Sequence, residues 1–223
     1  MADGGIPVPR TVVLGGGYPK EVPRFGDLIV LKKVAQDSSG GKGVVLVRYD
    51  RVRQKIEELV QNEKWQYPIL IQEFIRTGTH AAHTRVATFL GRPILTWTSR
   101  LADPLPDAGL PDDVVEKTNI ASNMAGVSKQ RSFDQDPVKL DLARRVFDVF
   151  RNIPLHGVDI LTTEDNRHVV LEMNGGGNTW HFSSDSGLRI RANNGGRDAM
   201  KAQMGAFRIV ADALIDRTRL EAQ

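Results

Sequence analysis

Val158-Asp159-Ile160-Leu161-Thr162-Thr163-Glu164-Asp165-Asn166-Arg167-His168-Val169-Val170-Leu171-Glu172-Met173-Asn174 reads as a β-hairpin. Two apolar, β-branched runs flank the polar turn Glu164-Asp165-Asn166-Arg167. With Asp165 and Asn166 as a two-residue loop, Glu164 faces Arg167, and counting back sets Asp159 opposite Glu172. Opposed residues share a face, and so do residues two apart. Asp159, Glu172 and Asn174 therefore converge on one face, while Val158, Ile160, Val169, Leu171 and Met173 form the apolar face. Two opposed carboxylates repel, and a hard divalent cation relieves the repulsion because Mg²⁺ takes oxygen ligands. Without a metal, the same hairpin would turn its charges to water.

The chain has 223 residues, enough to bury a core as one large domain or two small lobes. Hydrophobic residues make up 40% and charged residues 26%, an ordinary globular balance. No run of 18 apolar residues and no secretory leader pattern occurs, so the expected location is the cytoplasm, with no membrane association. The sequence contains no cysteine, which excludes disulfides, Cys-ligated zinc and thiol catalysis. The net charge of +3 is spread along the chain and does not indicate nucleic-acid binding. Basic residues also suit a polyphosphate ligand.

Upstream, strands are expected at 11–14, 28–31, 44–47, 69–74, 85–90 and 94–98. A helix capped by Asp50 carries Val52, Ile56, Leu59 and Val60 on one stripe. Residues 101–135 read as a long surface loop because of Pro104, Pro106 and Pro111. Asp136-Pro137 caps and starts a helix that buries Val138, Leu142, Val146, Phe147 and Phe150. A Gly/Ser/Asn-rich segment follows from Gly175 to Gly196. A last amphipathic helix carries Met204, Phe207, Ala211, Leu214 and Ile215. The class is α+β with mainly antiparallel strands.

Between two of these strands, Ser38-Ser39-Gly40-Gly41-Lys42-Gly43 can aim backbone N–H groups at an anion, with Lys32 adding charge. It is neither a Walker A loop nor a dinucleotide fingerprint. Gly15-Gly16-Gly17 runs into Tyr18-Pro19 and reads as a plain turn. Gln72-Glu73-Phe74-Ile75 closes a strand that, taken alone, reads as an edge strand with one exposed acid. Arg85 and Arg100 are surface arginines by default and fixed cationic donors in a phosphate site. His156 and His181 read as packed or exposed histidines rather than ligands.

Taken in order, these segments resemble the ATP-grasp superfamily, and within it the glutamate ligases that modify a ribosomal protein and related carboxylate–amine ligases. The segments that carry the resemblance are Gly5-Ile6-Pro7-Val8-Pro9-Arg10-Thr11, Val30-Leu31-Lys32, Ser38-Ser39-Gly40-Gly41-Lys42-Gly43-Val44, Ile71-Gln72-Glu73-Phe74-Ile75, Thr84-Arg85-Val86, Gly157-Val158-Asp159-Ile160 and Leu171-Glu172-Met173-Asn174. The resemblance implies a two-lobed fold with nucleotide between the lobes. Residues 1–70 would form the smaller lobe, and 71–223 the larger lobe with the metal site and C-terminal helix.

By the same resemblance, ATP is held by Lys32, by Ser39, Gly40, Gly41, Lys42 and Gly43 of the loop, and by the hinge Gln72, Glu73, Phe74 and Ile75. Asp159, Glu172 and Asn174 hold Mg²⁺, with Mn²⁺ as a substitute, and Arg85, Arg100 and Asn119 contact the phosphoryl group or acceptor. The implied activity forms an acyl phosphate from a carboxylate and passes the acyl group to an amine, on small-molecule or peptide substrates. The alternatives are a phosphotransferase acting on a hydroxyl and a non-catalytic ATP-binding module. Where the family often has an acid before its arginine, this chain has His83. The acid expected soon after the hinge has no counterpart in Arg76-Thr77-Gly78-Thr79, and Gly175-Gly176-Gly177 replaces a Pro-Gly turn. Only four residues precede Gly5, so the family's usual first domain is expected to be missing, with a homo-oligomer or a partner that supplies that domain as the alternatives.

Overall fold

The computed structural model describes residues 1–16, 22–34, 43–120, 129–176 and 185–222. They form two compact units, Pro9–Ala81 with Leu101–Lys129, and Met1–Val8 with Ala82–Arg100 and Gln130–Gln223. A division at residue 70 does not match these units, because it falls inside a strand and leaves out the return of 101–129.

In the unit built on Pro9–Ala81, β1 (Thr11–Leu14), β2 (Leu28–Lys33), β3 (Val44–Arg48) and β4 (Ile69–Glu73) make a sheet of order β1-β4-β2-β3, antiparallel at every pairing. The run Leu28-Ile29-Val30-Leu31 is apolar at every position because both faces of its strand are covered. Ile29 and Leu31 pack with Val52, Ile56 and Leu59 of α1 (Val52–Gln61). Leu28 and Val30 pack with Leu46 and with Val115 of α2 (Asp112–Lys117). Asp50 is not the cap of α1: it lies in a short 3₁₀ turn, and Arg51 occupies the N-cap without a side-chain bond. β4 is an interior strand, not an edge.

The other unit carries β5 (His80–Phe89), β6 (Arg92–Pro104), β7 (Lys129–Phe133), β8 (Leu155–Thr162) and β9 (His168–Gly175) in the order β7-β6-β5-β8-β9. A tight turn at Leu90-Gly91 joins β5 to β6, where Gly91 has φ 78° and a Cβ would stand 2.7 Å from the Phe147 ring. Only glycine suits both the left-handed backbone and that approach. One face of the sheet packs Val86, Val158, Ile160 and Val170 against Leu142, Ala143 and Val146 of α3 (Pro137–Val149). Asp136 caps this helix by accepting from the Val138 N–H at 2.9 Å. The opposite face packs Ala87, Leu95 and Trp97 against Ile190, Met200 and Ala206. Those residues belong to or begin α4 (Asp185–Asn193), α5 (Gly196–Ala202) and α6 (Ala206–Glu221).

Several expectations are corrected. Residues 101–135 are not one loop, since β6 runs to Pro104 and α2 and β7 follow. Leu105 donates its N–H to the Thr79 carbonyl at 2.8 Å, and Val115 is fully buried, which ties the segment down. Val138 is exposed on α3. On α6, Ala206 and Ala213 are buried while Phe207, Leu214 and Ile215 are exposed. No described helix is long and apolar enough to cross a membrane.

Behind the α3 face lies a compact polar knot. The Lys139 ammonium donates to Asp134 Oδ2 at 2.6 Å and to Thr84 Oγ1 at 3.0 Å, and the Thr98 hydroxyl donates to the same carboxylate at 2.7 Å. Burial works against ionisation of Asp134, but Lys139, Thr98 and the Asp136 N–H pull its pKa down from 3.8 to about 2. A folded-state pKa below the unfolded value stabilises the fold above the unfolded pKa and is lost as pH falls through the folded one. Unfolding at graded pH is therefore expected to show a loss of about 2 kcal/mol between roughly pH 4 and pH 2. Asp134→Asn should lose that acid-dependent step while being less stable at neutral pH.

Candidate active site

The hairpin brings Asp159 and Glu172 together, but by a different route from the sequence reading. Thr163 donates to the Arg167 carbonyl at 2.9 Å, and Asn166 takes φ 61°, so the loop holds three residues rather than two. That slips the pairing by one: Thr162 opposes His168 and Ile160 opposes Val170. A bulge then restores it, with Leu171 as the extra residue, and Asp159 stands opposite Glu172. The slip also changes the apolar face. Val170 joins Val158, Ile160 and Met173 at α3, while Val169 pairs with Leu161 on the other side.

Asp159 is 4% exposed and Arg85 is equally buried, on the strand position directly opposite. The Arg85 guanidinium grips the carboxylate as a fork, Nε donating to Oδ1 at 2.7 Å and a terminal nitrogen donating to Oδ2. His83 Nε2 stands 3.9 Å from Oδ1. Burial opposes the negative charge, but His83 and Arg85 overcome it and hold the Asp159 carboxyl below the usual carboxylate range. Burial likewise works against the Arg85 cation, and Asp159 with Glu172 raises its pKa. Asn174 Nδ2 donates to Glu172 Oε1 at 3.2 Å, leaving its amide oxygen for another partner.

This cluster fits Mg²⁺ in its donor chemistry. Two carboxylates and an amide supply only oxygens, the set that suits a hard cation. Each carboxylate has about four lone-pair sites, so the Arg85 fork leaves capacity on Asp159. Glu172 is exposed and no described cation pairs with it by a direct salt bridge. His83 was read in the sequence only as a departure from a pattern. Its place beside Asp159 follows from the Arg85–Asp159 pairing, which spans 74 positions and leaves no local signal.

The remaining predicted residues divide. Arg100 is exposed, and strand alternation sets it on the Thr98 face, away from Arg85. Asn119 is half-buried in the unit that contains β1 to β4. Lys32 is half-buried on β2, opposite Val44 and Leu70. Gly43, at φ 79°, stands just before β3, its carbonyl accepting from the Lys33 N–H at 2.9 Å. Ser39, Gly40, Gly41 and Lys42 lie outside the described residues, as do Gly177 and His181. Gln72 is buried and donates to Thr11 Oγ1 at 3.0 Å. Glu73 forks onto Arg10 at 2.8 and 3.1 Å, and its N–H donates to the Arg10 carbonyl at 2.8 Å, so both its polar ends are engaged. Phe74 packs on the α2 face of the sheet, and Ile75 is half-buried. His156 is fully buried against the Phe147 ring, and burial lowers its pKa.

Neither a protein-family profile nor a curated sequence matches the chain. Solved structures do. D-alanine–D-alanine ligase from Bacillus anthracis, complexed with ATP, is similar at TM-score 0.54 and 15% identity, covering 100% of this chain and 65% of that one. The D-cycloserine synthetase DcsG gives 0.53 and 16%, covering 91% and 67%. The ATP-grasp ligase PsnB, complexed with a phosphomimetic variant of a minimal precursor, Mg and ADP, gives 0.50 and 18%, covering 97% and 56%. The chain thus spans between 56% and 67% of the length of these three. With its antiparallel sheets, its two units and this set of neighbours, the chain has the ATP-grasp fold.

Proposed function

We propose that the chain is an ATP- and Mg²⁺-dependent ligase that activates a carboxylate as an acyl phosphate and joins it to an amine. The observation that carries this reading is the Asp159–Glu172 pair with Asn174, held beside the buried Arg85 fork in an ATP-grasp fold. The solved neighbours bound to ATP, or to Mg and ADP, support the choice of nucleotide and metal. Asp159, Glu172 and Asn174 would hold the ion, which when bound offsets phosphate charge during transfer. Arg85 keeps Asp159 ionised and oriented, and so acts through it as a positioning residue. Lys32 and the glycine-rich loop are the proposed further phosphate contacts.

In the first step a substrate carboxylate oxygen bonds to the γ-phosphorus, and the bridging bond breaks with its electron pair leaving on ADP. In the second, the amine attacks the acyl carbon, phosphate departs and the amine loses a proton. The protein contributes positioning, charge and exclusion of water, with no covalent nucleophile.

The test is ADP release with panels of acids and amines, with products identified by mass. The proposal expects ADP formation that needs both partners and yields an amide. Release with a hydroxyl acceptor alone would convert the reading to a phosphotransferase. MgATP binding without turnover under all conditions would leave a binding module.

A further inference from the structure

The Arg85–Asp159–Glu172 cluster is part of a longer row. Thr84 and Thr98 touch at 2.7 Å on the α3 face, so Arg85 and Ser99 share the opposite face, Ser99 two residues out of level with Arg85 because the hairpin strands run antiparallel. Arg131 of β7 donates from Nε to the Ser99 hydroxyl at 3.3 Å. In sheet order the face thus reads Arg131, Ser99, Arg85, Asp159, Glu172, one residue from each of the five strands. α4 is pinned to the same end: Asn194 donates to the Arg131 carbonyl at 3.1 Å and accepts from the Phe133 N–H at 3.3 Å. This brings Arg189 of α4 close to Arg131.

The two ends of the row differ in charge balance. Arg85 is neutralised by Asp159. Among the described side chains, no carboxylate forms an ion pair with Arg131. Arg131 is half-buried, and burial together with the Arg189 and Arg85 charges lowers its pKa. A partly buried guanidinium flanked by two others, with one neutral hydrogen bond, is costly unless an anion completes it. Its terminal N–H groups form the planar fork that matches a carboxylate.

We propose that Arg131 and Arg189 bind the carboxylate of the acid substrate, at the opposite end of the row from the metal ligands. The assignment rests on the ligase reading above and names the substrate's anchoring group. Spacing agrees: Ser99 and Asp159 lie two strands apart and two residues out of level, about 12 Å. A metal-to-phosphate contact of about 2 Å and a near-attack approach of about 3 Å fit in that span. An amine in the same place would be repelled by two cations.

The test uses acetate as the probe, titrated into the protein loaded with MgADP, with sodium chloride at matched ionic strength as the control. The readout is the Nε–H resonance of Arg131, assigned by its loss in Arg131→Ala. A saturable shift with acetate is expected, weakened at least tenfold in Arg189→Ala; in Arg131→Lys, which lacks this resonance, acetate affinity read by calorimetry should fall at least tenfold. MgADP affinity, measured calorimetrically in parallel, should stay within about twofold in all three variants. Intact MgADP binding without an acetate response overturns the carboxylate assignment alone. A response to inorganic phosphate but not acetate, or a large MgADP loss in Arg131→Ala, overturns it by giving Arg131 to the nucleotide. Failure of the folded wild type to bind MgADP removes the ligase reading and this assignment with it.

Discussion

Arg85→Ala is expected to destabilise the protein by about 3–5 kcal/mol, because it leaves the Asp159 carboxylate buried without its fork. For a chain of this size that is a fall of roughly 10 °C in thermal midpoint. The loss comes from the partner left behind more than from the arginine. A double change to apolar side chains, Arg85→Met with Asp159→Leu, should therefore recover much of it. A double-mutant cycle by chemical denaturation checks this, and additive single effects would show that the pair is not coupled. The same single variant should raise the Asp159 pKa, since only His83 and a Glu172 hydrogen bond then oppose burial.

Glu172→Ala is expected to behave in the opposite way. Glu172 is exposed, and it opposes another carboxylate across the strands. Removing it relieves repulsion worth up to about 1 kcal/mol and gives up a partly offsetting attraction to the Arg85 cation, so stability should hold within about 1 kcal/mol. Mg²⁺-dependent nucleotide affinity should fall by at least about 100-fold, because one of the two anionic ligands is gone. A residue that the apo fold does not need and that serves a ligand marks a functional site. Thermal unfolding with and without MgADP separates the two effects: the apo midpoint stays, and the ligand-induced rise disappears. Glu172→Ala that loses stability yet keeps that rise would assign Glu172 to the fold.

The site was legible in the sequence where parity alone decides, and less so elsewhere. Opposed acids flanking one polar turn must share a face whenever the strands pair in that frame, so Asp159 and Glu172 could be read together. The turn itself was misread, because Asn166 enters the left-handed region and lengthens the loop by one residue. The bulge at Leu171 cancelled that error at the acids but not at the core, where Val170 replaces Val169 and Leu171. Asp136-Pro137 predicted the start of α3 because capping is local chemistry. The short helix α2 was hidden among prolines, and its place is fixed by Val115 packing on a distant strand. α6 misled for a related reason: alanines, not the large side chains, face its neighbours, and periodicity does not show which stripe is buried. Arg131 carried no signal, since its meaning lies in a row across five strands.

The most direct test is calorimetric titration of MgATP into the wild type and the Glu172→Ala/Asn174→Ala double variant, after circular dichroism shows both to be folded. The account predicts saturable, Mg²⁺-dependent binding by the wild type and its loss in the variant. Equal binding by both proteins, or none by the folded wild type, would contradict it.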